Sequence, residues 1–63
     1  MTENEIDDAA RHMMAEIVVR HVSVGSDEWS RTLARHCPKA TITDREYIAM
    51  RTTEMIEDWR RKK

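Results

Sequence analysis

The sequence contains few of the residues that break or cross-link a chain. It has one glycine, one proline, one cysteine and no phenylalanine among 63 residues. So little glycine and proline excludes a low-complexity linker, and an apolar content of 40% is too high for a disordered chain. The lone cysteine, Cys37, cannot form an internal disulfide. We therefore expect a folded chain that works in a reducing, cytoplasmic setting.

Long apolar runs are also missing. The run Ile17–Val19 is far too short to cross a bilayer, which takes about 20 apolar residues. The first residues are acidic and lack the features of a secretory leader, so we expect none. A chain of this length forms at most one domain, over residues 1–63, with a core that is marginal alone. We therefore expect a second subunit to complete it, and no membrane contact.

The charges are unevenly distributed along a chain whose formal net charge is only −1. Acidic residues outnumber basic ones up to Ser30, and basic residues outnumber acidic ones after it. An asymmetry of this kind can indicate a nucleic-acid partner. The basic residues of the second half are Arg31, Arg35, Lys39, Arg45, Arg51, Arg60, Arg61, Lys62 and Lys63.

The last third of the sequence has the clearest helical pattern. Thr43 followed by Glu46 predicts a capping box, and Ile42 with Tyr47 predicts the hydrophobic staple that often accompanies one. An amphipathic helix is therefore expected from Thr43 to Arg61, and the basic residues at its end suit the negative pole of the helix dipole. The residues predicted to face the core are Ile48, Thr52, Met55 and Trp59, with Tyr47 and Ile56 on the flanks.

The first helix is predicted to begin at a second capping box, formed by Thr2 and Glu5, with Met1 and Ile6 as its staple. Apolar residues then recur at helical spacing as far as Ile17. The segment Glu16–Val24 is harder to interpret, because its valines point to all sides of a helix. We favour a helix covered on one side by the fold and on the other by a second chain.

A β-strand is the alternative for this segment, since β-branched residues favour strands, but no partner strand is visible in the sequence. In the preferred interpretation, Ser23–Ser26 forms the turn that follows the helix. Gly25 is the residue best able to adopt the left-handed conformation there.

A short second helix is predicted between Ser26, its N-cap, and Pro38, which excludes helical geometry at the preceding Cys37. Trp29, Leu33 and His36 share one face of it. The sequence therefore predicts an all-α fold, a small three-helix bundle with long, short and long helices, completed by homodimerisation.

The side chains that could bind a metal lack the spacing of known metal motifs, and we expect no metal and no cofactor. Neighbouring carboxylates lie where helix-end electrostatics and ion pairs explain them. A chain this small has little room for a substrate pocket, so we expect neither catalysis nor a small-molecule substrate. The potential metal ligands are His12, His21, His36 and Cys37.

A surplus of apolar residues outside the predicted core favours a protein that acts through protein–protein contacts. Several exposed apolar side chains together mark a contact surface, whereas one alone needs no explanation. We therefore predict a non-catalytic binding or regulatory protein that contacts itself or a partner protein. The predicted contact residues are Val18, Val19, Val22 and Met50.

The alternative hypothesis is a small DNA-binding regulator that resembles a helix-turn-helix protein and uses its basic second half. Two observations oppose it. The connection of residues 37–42 is longer than the turn of that motif, and acidic residues alternate with the basic ones on the third helix. The predicted contacts with nucleic acid would be Arg31, Arg35, Lys39, Arg45 and Arg51.

No motif in the sequence is specific to one chemistry. The small size and the preference for arginine over lysine are typical of short proteins encoded by bacteria or phages, and we expect such an origin.

Overall fold

A computed structural model describes residues 1–62, so Lys63, the last of the predicted basic residues, lies outside the described part. The chain forms three α-helices: α1 (Glu3–Arg20), α2 (Asp27–His36) and α3 (Ile42–Arg61). Residues 1–62 contain no β-strand. The predicted three-helix bundle with long, short and long helices is therefore confirmed, and the strand alternative is wrong.

Helix α1 begins at the predicted capping box. The Thr2 hydroxyl accepts a hydrogen bond from the Glu5 backbone N–H over 3.2 Å, and the Glu5 carboxylate accepts one from the Thr2 N–H over 2.8 Å. These bonds satisfy two of the backbone donors that a helix leaves free at its start. They also lower the pKa of Glu5, because hydrogen bonds from Thr2 favour the ionised carboxylate.

The end of α1 differs from the prediction. The helix stops at Arg20, because His21 takes a left-handed conformation with φ 59° and donates its N–H to the Ile17 carbonyl over 3.0 Å. This is the geometry of a left-handed helix cap. The chain then turns inward, and Val22 enters the core with only 2% of its surface exposed. The preferred helix for the segment Glu16–Val24 is therefore confirmed only as far as Arg20, and Val22 lies beyond its end.

Gly25 does adopt the left-handed conformation predicted for it, with φ 83°, but it lies within the turn and does not end α1. The next residue, Ser26, caps α2 as predicted, since its Oγ accepts a hydrogen bond from the Trp29 N–H over 3.1 Å. Helix α2 ends at His36, and Cys37 leaves helical geometry immediately before Pro38.

Helix α3 begins two residues earlier than predicted, and its N-cap is Thr41 instead of Thr43. The Thr41 hydroxyl accepts from the Asp44 N–H over 3.1 Å, while the Asp44 carboxylate accepts from the Thr41 N–H over 3.0 Å. Both threonines have an acidic residue three positions later, and the earlier start adds helical hydrogen bonds. Ile42 becomes the first helical residue and is 79% exposed, so the predicted staple does not form.

The long helices α1 and α3 lie side by side and form the most extensive helix pair. The Met1 amino group lies 3.3 Å from Asp44 Oδ1, and Arg51 Nε lies 3.0 Å from Asp7 Oδ1. Met1 precedes Asp7 in the chain, and their partners Asp44 and Arg51 follow in the same order along α3. Because the sequence separation of the two pairs is nearly constant, α1 and α3 run parallel.

Helix α2 runs antiparallel to α1. The His36 ring, at the end of α2, stacks on the His12 ring. Glu28 lies near the start of α2, and its Oε1 atom is 3.2 Å from the guanidinium group of Arg20. Later residues of α1 thus meet earlier residues of α2. The resulting molecule is flat, with principal extents of 34 × 24 × 14 Å.

All three helices and the turn after α1 contribute to the core. Small residues, Ala9 and Ala10, lie buried on α1, and Thr52 of α3 is buried with its hydroxyl donating to the Ile48 carbonyl over 2.6 Å. The buried face of α3 includes Ile56, predicted as a flank, whereas Trp59 is partly exposed at the helix end. The main core cluster consists of Ala9, Met13, Val22, Trp29, Leu33 and Ile48. Within residues 1–62, no helix has the length and apolar character needed to cross a membrane.

Candidate interaction surfaces

Two groups of exposed apolar side chains are candidate contact surfaces, and the exposed residues Met1, Ile42 and Trp59 belong to neither. The first, which we call the valine end, consists of Val18, Val19 and Val24 and surrounds the end of α1. The second is the α1–α3 groove, which lies beside the first turns of α1. Its lining residues are Glu3, Ile6, Asp7, Tyr47, Met50, Arg51 and Glu54.

The valine end contains two of the four residues predicted to contact a protein. Val19 is the most exposed of its members at 75%, and Val18 is 40% exposed. Val22, which the sequence assigned to the same surface, belongs to the core. The prediction for Val22 is wrong because α1 ends at His21 and the chain turns inward there, which a continuous helix would not allow. A contact surface at this end would therefore consist of Val18, Val19 and Val24.

Met50, the fourth predicted contact residue, lines the α1–α3 groove, which has a volume of about 510 Å³. Met50 is 58% exposed, and its neighbour in the groove, Tyr47, is 53% exposed. Ile6 of α1 is half-buried and also lines the groove. The sequence placed Tyr47 on the flank of the core face, so its contribution to this groove was missed.

Acidic residues surround the groove. Arg51 is the one cationic residue that lines it. Its Nε atom lies 3.0 Å from Asp7 Oδ1, and its guanidinium group also lies 3.6 Å from Glu54 Oε2. The hydrogen bond to Asp7 raises the pKa of Arg51 further above its ordinary value. With Glu3 included, three carboxylates face one guanidinium group, so the lining has an excess of negative charge.

The five residues predicted to contact nucleic acid differ in their exposure and in their partners. Arg51 lies in the acidic groove, and Arg45 is half-buried, with an Nε atom that is enclosed and has no hydrogen-bond partner within the described chain. The positive charge of Arg45 acts on Cys37, where it opposes the rise in pKa that burial causes at this thiol. The other three residues, Arg31, Arg35 and Lys39, are exposed on or just after α2.

The histidines are arranged in a way that the sequence does not indicate. The rings of His12 and His36 are parallel to within 2° and their centroids are 3.9 Å apart. Glu16 lies on the same helix, with Oε1 3.8 Å from His12 Nε2. Because the two histidines are far apart in sequence and on different helices, no spacing pattern predicts their contact. No group of three or more His, Cys, Asp or Glu side chains in residues 1–62 is arranged to hold a metal ion.

No protein-family model, curated protein or solved structure matches the chain. Its two apolar surfaces and the exposed basic residues of α2 are therefore the features from which a function can be inferred.

Proposed function

We propose that the protein is a small, non-catalytic binding or regulatory protein that acts through protein–protein contacts and forms a homodimer through the valine end. The observation that supports this proposal is the exposure of Val18, Val19 and Val24 around the end of α1. Several exposed apolar side chains at one end of a helix are typical of a contact surface, whereas a single one is not. The single free thiol of Cys37 suits a reducing, cytoplasmic setting.

Small size gives a physical reason for self-association. A chain of 63 residues buries a limited core, and a second copy would bury apolar surface that the monomer leaves in water. Covering a side chain as exposed as Val19 contributes about 1–2 kcal/mol. Since a twofold dimer uses the same patch on both subunits, each valine contributes twice.

Light scattering over a concentration series tests the proposed dimer. The wild-type protein should show a dimeric mass at the higher concentrations. Val19→Asp should be monomeric over the same range, because it would place a carboxylate in the dry centre of the interface. Met50→Asp is the matched control, since it adds the same charge at another exposed apolar residue and should leave the dimer intact. A wild-type mass that stays monomeric would overturn the proposed dimer.

DNA binding is the second candidate, and one observation favours it. Arg31, Arg35 and Lys39 follow one another at intervals of four residues, and all three are exposed. The geometry supports this function less well, because Arg45 is half-buried and Arg51 is paired with Asp7. Three phosphate contacts predict that log K falls with log salt at a slope of about −3, which a fluorescence anisotropy titration with duplex DNA measures. A flat salt response would exclude this function.

A further inference from the structure

We infer that the α1–α3 groove binds a positively charged amphipathic helix of a partner protein. This inference rests on the proposed function, since it assigns a partner chemistry to one of the protein's contact surfaces. It concerns a site distinct from the valine end, so the two surfaces can be tested independently.

The apolar part of the groove provides the binding contact. Tyr47 and Met50 are more than half exposed, one turn apart on α3, and Ile6 lies across from them on α1. A tyrosine offers a large apolar area with few rotatable bonds, and methionine adapts to the shape of its partner. The lining residues of α3 span residues 47–54, about two helical turns. This length accommodates apolar side chains at positions i and i+4 of a bound helix.

The charge of the groove determines which residues should flank the apolar side chains of the bound helix. The lining carries Glu3, Asp7 and Glu54 against Arg51, whose guanidinium group is already bonded to Asp7. A partner with lysine or arginine beside its apolar stripe would compensate the excess carboxylates, whereas an acidic partner would be repelled. Charge complementarity thus favours a basic helix over an acidic or neutral one.

The arrangement of the helices leaves space for this partner. Helices α1 and α3 run parallel, and all the residues that line the groove belong to these two helices, so α2 takes no part in it. A fourth helix lying in the groove would contact both long helices without displacing α2. This arrangement would complete a four-helix bundle.

A second copy of the chain fits the groove less well. Two copies pairing groove to groove would bring the excess carboxylates of both subunits together. Helix α2 of another copy offers basic residues, Arg31 and Arg35, but its large apolar residues, Trp29 and Leu33, are buried in its own core. The groove therefore fits a separate basic partner better than it fits another copy.

The test uses two labelled peptides of equal length, one an amphipathic helix of leucine and lysine and the other its counterpart of leucine and glutamate. Fluorescence anisotropy with the intact protein should show binding of the leucine–lysine peptide and at least about tenfold weaker binding of the leucine–glutamate peptide. Met50→Ser and Tyr47→Ser should each weaken binding of the basic peptide about tenfold, as expected for central apolar contacts. Both residues are exposed, so these variants retain the fold.

Matched controls separate the groove from general attraction to an acidic protein. Val19→Ser removes a still more exposed apolar side chain elsewhere and should leave peptide affinity unchanged. Glu54→Gln should weaken binding and reduce its salt dependence, whereas Glu28→Gln, on α2, should do neither. Equal affinity for both peptides, or unchanged affinity in Met50→Ser, would overturn the inference.

The outcomes also distinguish this inference from the proposed dimer. If the basic peptide does not bind but Val19→Asp dissociates a dimer, the groove inference fails and the proposed function stands. If the peptide binds a strictly monomeric protein, the dimer proposal fails instead. A dimer that Met50→Asp dissociates would make a second copy the occupant of the groove and overturn the inference.

Discussion

His21 is a residue whose replacement should stabilise the protein. It is held at φ 59° at the end of α1, a left-handed conformation that glycine adopts freely and other residues adopt at a cost of roughly 1–2 kcal/mol. Glycine also gives the unfolded chain more freedom, which offsets about 0.4–1 kcal/mol of that gain. His21→Gly should therefore raise the free energy of unfolding by about 0.5–1 kcal/mol.

Urea denaturation, monitored by far-ultraviolet circular dichroism, measures this change in the free energy of unfolding. The midpoint should move to higher urea with an unchanged slope, and the melting temperature should rise by roughly 4 °C, since 1 kcal/mol corresponds to about 4–8 °C in a small domain. The His21 imidazole is exposed and forms no hydrogen bond within the described part of the chain, so its removal sacrifices no such contact.

Two further variants at the same position test the reasoning. His21→Ala removes the imidazole but keeps a Cβ atom, so it should not stabilise the protein. His21→Val should destabilise it, because a β-branched residue tolerates positive φ poorly. If His21→Gly were neutral or destabilising, or if alanine stabilised the protein as much as glycine, the left-handed conformation would not be the source of the effect.

Three further predictions concern the turn, the core and the pH dependence. Gly25→Ala should destabilise the protein by about 1 kcal/mol in the same urea assay, because φ is 83° there even though the space around the added Cβ is open. Val22→Ala should lower the free energy of unfolding by about 2 kcal/mol, since it leaves a cavity in the core, whereas Val19→Ala should change it by less than about 0.5 kcal/mol when measured at a dilution that excludes dimers. The hydrogen bond from the Thr41 backbone lowers the pKa of Asp44 in the folded protein. The ionised Asp44 carboxylate therefore stabilises the fold fully at a pH above the ordinary pKa of an aspartate, and this stabilisation is lost as the pH falls below about 4. Thermal melts between neutral and acidic pH should therefore show a smaller loss of stability in Asp44→Asn than in the wild type, and equal losses would contradict this role of the carboxylate.

Local signals in the sequence predicted most of the secondary structure. The capping box of Thr2 and Glu5, the N-cap Ser26 and the helix stop at Pro38 each depend on residues within four positions of one another. The error at α3 arose because Thr41 and Thr43 both carry a capping pattern, and local sequence alone does not choose between them. The end of α1 was missed because histidine is a weak signal for a left-handed residue.

The candidate surfaces were less predictable, because they depend on contacts between distant residues. Exposure of Met50 was predicted correctly from its position opposite the core stripe of α3. Predicting the groove beside Met50 requires the relative direction of α1 and α3, and no local sequence pattern indicates that they run parallel. The pairing of Arg51 with Asp7, which removes this arginine from the predicted basic surface, likewise joins residues 44 positions apart.

The parallel pairing of α1 and α3 has a consequence for the order of folding. The polar contacts of Met1 with Asp44 and of Asp7 with Arg51 join residues 43 and 44 positions apart, whereas the antiparallel pair α1 and α2 closes through a short turn. Short loops close at a lower entropic cost, so the α1–α2 hairpin should form before α3 docks. Mutations on the buried face of α3, such as Ile56→Val, should then mainly accelerate unfolding and leave the folding rate nearly unchanged in stopped-flow experiments. Since α3 carries Tyr47 and Met50, the groove would be the last part of the molecule to assemble and the first to be lost.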